Sequence, residues 1–76
     1  MSGIVPLSTI SEGTKCEIAD VVAGRGLARR LAELGFIAGT PIRIARSESG
    51  AMIININGQR YALSRGIAMK IMVKKC

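Results

Sequence analysis

The sequence predicts a small, mainly β domain of about five short strands with one short α-helix and one helical turn, the strands curling into a partly open β-barrel. Three observations carry this reading. Asn57-Gly58 separates two strand-like runs, the run RRLAELGFIAGTPIRI (29–44) reads in order as helix, stop, turn and strand, and no connection is long enough for a crossover. Short antiparallel strands that must bury one face within 76 residues do so best by curling on themselves.

The elements follow in order. Leu7 and Ile10 read as one helical turn or a short anchoring segment ahead of Gly13. In 15–22, Cys16 and Ile18 alternate with Lys15 and Glu17, and the phase blurs at Val21 and Val22, as it does where a strand is buried on both sides or bulges. A loop at 23–26 leads into the helix. There Leu27, Leu31 and Leu34 recur on one face, with Ala28 and Ala32 between them and Arg29, Arg30 and Glu33 turned outward. Gly35 stands where the helix needs a residue at positive φ, and Phe36 falls where it packs back on Leu31. Residues 37–40 form a tight connection, and Pro41 opens a strand in which Ile42 and Ile44 alternate with Arg43.

Turn chemistry at Ser47, Glu48, Ser49 and Gly50 precedes the strongly β-prone run Ala51–Ile56. Asn57 and Gly58 both tolerate the positive φ of a type I′ turn, so this strand pairs with 59–63. Ser64 caps a single helical turn over Arg65–Ala68 that Gly66 keeps short. A final strand alternates Ile71 and Val73 with Lys70, Met72 and Lys74. The whole chain, 1–76, reads as one domain. With Phe36 and Tyr61 the only aromatics, the core is expected from Ile, Leu, Val, Ala and Met, with Met52, Met69 and Met72 filling gaps.

Composition narrows the function. No apolar run approaches the about 18 residues that span a bilayer, and the N-terminus lacks a leader pattern, so a cytoplasmic protein is expected. Cys16 and Cys76 are too few and too far apart for a disulfide framework; a reduced compartment fits, with a single Cys16–Cys76 bridge as the alternative. There is no histidine, no paired carboxylate spacing and no activated nucleophile, so the protein is not expected to be an enzyme. Gly24-Arg25-Gly26 lacks the ending of a phosphate loop and reads as a flexible connection. No Cys/His spacing offers a metal site, and no cofactor is required. The net charge of +6 invites a small nucleic-acid-binding barrel as an alternative function. The basic residues are scattered over every element, however, without interleaved aromatics for stacking, and nucleic acid is the weaker reading.

The chain resembles the ferrous iron transport protein A (FeoA) family. Leu7, Ile10 and Gly13 resemble its opening; Arg30-Leu31, Glu33-Leu34-Gly35, Gly39 and Ile42 its central motif; Gly58, Ala62-Leu63, Ala68, Ile71 and Val73 its ending. Two positions depart from the pattern: Ala38 stands where proline is frequent, and Ile67 where an acidic residue commonly precedes the alanine. The same domain is similar to the SH3-like C-terminal module of iron-dependent repressors, but no DNA-binding helix-turn-helix precedes it here. The resemblance implies an SH3-like barrel and a stand-alone accessory of Fe(II) uptake. It implies binding to the cytoplasmic part of the FeoB transporter, with membrane association only through that partner, and transition-metal binding for which the sequence shows no convincing site. Leu31, Leu34, Gly35, Gly39 and Ile42 are explained by folding. The partner-binding candidates are therefore Arg29, Arg30, Glu33 and Phe36, the last either packing at the helix end or offering an apolar contact beside Ile37. Unpaired barrel edges allow weak self-association.

Overall fold

The structure, a computed structural model, describes residues 3–75. Strand β1 (Val5–Pro6) leads into a single 3-10 turn (Leu7–Thr9), followed by β2 (Lys15–Val21), α1 (Arg25–Glu33), β3 (Pro41–Ser47), β4 (Ala51–Ile56), β5 (Gln59–Ser64), α2 (Arg65–Ala68) and β6 (Ile71–Lys75). The strands form one antiparallel sheet in the order β1-β6-β2-β3-β4-β5. Its two ends do not pair with each other, which leaves the barrel partly open.

Alternation does its work on β2 to β6. Cys16 and Ile18, Ile42 and Ile44, Met52, Ile54 and Ile56, Leu63, and Ile71 and Val73 all turn inward, and Leu7, Ile10, Leu31, Phe36 and Ala68 complete the core. No polar side chain is buried among the described residues, so the interior carries no uncompensated polar group. Asn57 (φ 51°) and Gly58 (φ 78°) make the expected two-residue turn that sets Ile56 opposite Gln59.

Four differences from the sequence reading have local causes. The extra strand is β1, whose two residues pair with Val73 and Met72; a two-residue strand has no period to detect. The irregularity expected at Val21 and Val22 lies at Ala19, where the register shifts between Ile18 and Asp20, and a second shift lies at Ala45. Each extra residue bends its strand, and together they curl the sheet. Helix α1 begins at Arg25, inside the segment read as loop, because its first N–H groups need no helical partner and the packing of Leu27 and Leu31 outweighs the low helix propensity of Gly26. Met52 and Met72 are buried and half-buried, but Met69, the C-cap of α2, is 62% exposed and fills no gap. Cys16 is buried, and its alternative pairing with Cys76 lies outside the described residues.

The Ser64 hydroxyl accepts a hydrogen bond from the Ile67 N–H at 3.3 Å, capping α2. Ser64→Ala is expected to lower stability by about 1 kcal/mol, read as a shifted denaturant midpoint at constant slope. An unmoved midpoint would show that the cap is dispensable.

Candidate functional site

The site is built by the way α1 stops. Gly35 sits at φ 102°; its N–H donates to Ala32 O at 3.0 Å, and the Phe36 N–H donates to Leu31 O at 2.9 Å. This double closure ends the helix and throws the next side chain back over it. Phe36 therefore goes inward, 1% exposed, with its ring edge-on to Tyr61 at 6.2 Å, while Ile37 is 51% exposed. The suggestion that Phe36 offers a partner contact is corrected: the closure buries it, and the exposed apolar residue there is Ile37.

Beside this turn, α1, β5 and α2 enclose a groove of about 390 Å³. Buried Leu31 and Leu63 line it, together with half-buried Leu27 and Ile67 and with Leu34, which is 36% exposed. Arg30 and Glu33 also border it. They form no ion pair with each other, since both face water, where such a pair contributes little. Arg29 is set apart: with Arg25, Gly26 and Ala28 it borders a separate depression at the start of α1. The structure thus brings Arg30 and Glu33 together at one groove and leaves out Arg29 and Phe36.

Sequence reasoning missed the apolar wall. Leu34 lies on the same helical face as Leu31, but as the C-cap it is too close to the helix end to be covered. Ile67, noted above as a departure from an acidic position, is what makes the far wall apolar.

The FeoA domain family model matches residues 5–75. The chain belongs to the FeoA domain family. It is 36% identical over 69 residues to the protein named "Putative Fe(2+) transport protein A" of Methanocaldococcus jannaschii, covering 91% of this chain and 84% of that one. It is also similar to a crystal structure of an iron uptake regulatory protein (FeoA), with TM-score 0.90 and 29% identity, covering 97% of this chain and all (100%) of that one. A manganese-dependent transcriptional repressor shares the fold, with TM-score 0.86 at 19% identity, over 100% of this chain and 44% of that one. FeoA membership gives the fold as an SH3-like small barrel and the role as one in ferrous iron transport. Fe(II) is cargo in that role. Among the described residues no three Cys, Asp or Glu side chains come together to hold it.

Proposed function

We propose that the chain is a cytoplasmic accessory of ferrous iron uptake that docks on the cytoplasmic part of the FeoB membrane transporter through the groove between α1 and α2. The exposed apolar wall of that groove carries the reading. Among the described residues no helix is long and apolar enough to cross a membrane, and the sheet packs its interior with side chains, leaving no pore. In this reading the chain serves transport by acting on another protein. Covering the exposed parts of Leu27, Leu34 and Ile67 contributes on the order of 2–4 kcal/mol, and Arg30 and Glu33 on the rim set orientation more than affinity.

Leu34→Glu is expected to weaken capture of the transporter's cytoplasmic domain by roughly 30-fold or more while the melting temperature holds, because a charge replaces a contact at a partly exposed position. Arg29→Ala is expected to leave capture within about twofold. Undiminished capture by Leu34→Glu would exclude the groove as the docking surface.

A further inference from the structure

The strand register assembles a basic row that is invisible in the sequence. Lys15 of β2 lies opposite Arg43 of β3, Arg43 opposite Asn55 of β4, and Asn55 opposite Arg60 of β5. On these strands they alternate with buried Cys16, Ile42, Ile44, Ile54 and Ile56, so they share the outer face of the sheet. With strands about 4.8 Å apart, the row runs roughly 15 Å. Lys15, Arg43 and Arg60 have no ion pair among the described residues. The acid nearest in register is engaged elsewhere: Glu17, opposite Pro41, pairs with Lys74 at 3.6 Å. Lys15, Arg43 and Asn55 also border a shallow depression of about 240 Å³.

Folding alone does not call for this arrangement. Like charges directly opposite each other on neighbouring strands repel, and neither Lys15 nor Arg43 is in an ion pair among the described residues. A local rule broken without a structural gain points to a ligand that repays it.

We propose that the Lys15, Arg43, Asn55 and Arg60 row is a seat for the anionic headgroups of a phospholipid membrane surface. A nucleic-acid strand fits this face poorly, because no aromatic stands on it: Phe36 is buried, and Tyr61, opposite Ile54 in register, belongs to the inward set. Long cations on the outside of a curved sheet need no groove to meet a charged plane, and each is worth about fivefold in partitioning to an anionic surface. The choice of a membrane as occupant rests on the reading of the chain as a membrane transporter's accessory. It adds a direct membrane contact to the one expected through the partner alone, on residues separate from the docking groove.

The test uses the full chain without any transporter, so its failure leaves the capture result untouched, and the reverse holds too. Sedimentation with vesicles of phosphatidylcholine alone is compared with vesicles that also contain phosphatidylglycerol. Binding is expected only to the second, falling as salt rises. The triple variant Lys15→Gln/Arg43→Gln/Arg60→Gln is expected to lose on the order of a hundredfold, whereas Arg25→Gln/Arg29→Gln/Lys70→Gln, with the same net charge, loses far less. Absence of any preference for the anionic vesicles, salt-independent binding, or equal losses in the two triple variants would each overturn the proposal. Displacement from vesicles by a mixed-sequence oligonucleotide at lower phosphate concentration assigns the row to nucleic acid and overturns it as well. If a triple variant folds poorly, the single substitutions Lys15→Gln, Arg43→Gln and Arg60→Gln, each expected to lose about fivefold against no comparable loss for Arg25→Gln, carry the same test.

Discussion

Gly35→Ala is expected to destabilise the protein by about 1–3 kcal/mol and to lower its melting temperature by roughly 5–20 °C. Two costs add at this position. A side chain at φ 102° lies well outside comfortable backbone space, which costs about 1–2 kcal/mol. A Cβ there would also meet the terminal nitrogen of the Asn57 side-chain amide in the β4–β5 turn, which must swing aside at a smaller cost than the backbone one. The helix stop and the hairpin are therefore packed against each other. Gly39 provides the comparison, because it has a similar φ of 93° but open space around it. Gly39→Ala should show only the backbone cost of about 1–2 kcal/mol. Adding Asn57→Gly to Gly35→Ala should recover part of the loss. Equal midpoint shifts for the two single alanine variants would mean that the contact with Asn57 is not felt.

Arg65→Met is expected to cost about 2 kcal/mol, far more than an exposed arginine on this surface. Its guanidinium donates to Ser8 O at 2.9 Å, to the Ser47 hydroxyl at 2.8 Å and to Glu48 O at 3.0 Å. One side chain thus ties α2 to the 3-10 turn near the N-terminus and to the turn between β3 and β4. Hydrogen bonds to a charged group are worth about 1.5–3 kcal/mol each when water is excluded, and the total is discounted here because the site is only partly buried. Three acceptors on two segments, Ser8 on one and the adjacent Ser47 and Glu48 on the other, need the planar fork, so Arg65→Lys should rescue little. Arg43→Met, on the exposed sheet face, should fall within about 0.5 kcal/mol of the parent. A lysine that restores the full midpoint would reduce the clasp to simple charge.

The contrast between these arginines shows where sequence reading stops. Gly35, Asn57-Gly58 and Ser64 announce themselves because each meets a demand of its own backbone: positive φ, a two-residue turn, a free N–H to accept from. Arg65 and Arg43 look alike in sequence, since each lies among small and apolar neighbours. What separates them is the company the fold provides, three acceptors in one case and a like charge across the ladder in the other. The candidate site divides the same way. Arg30 and Glu33 are readable as outward positions of one helix, but the groove they border needs Leu63 and Ile67, thirty residues or more away along the chain.

Local chemistry and periodicity were enough to specify five of the six strands, the helix stop, the hairpin and, through the central motif, membership of the FeoA family. These are properties of neighbouring residues, governed by dihedral preferences and by which positions share a face. The groove, the Arg65 clasp and the basic row arise only once the sheet has curled, because bulges and register decide which distant side chains meet. Hydrophobic burial is non-directional and sets no such pairings in advance. Charges scattered at positions 15, 43 and 60 became neighbours because three hydrogen-bonded ladders placed them in line.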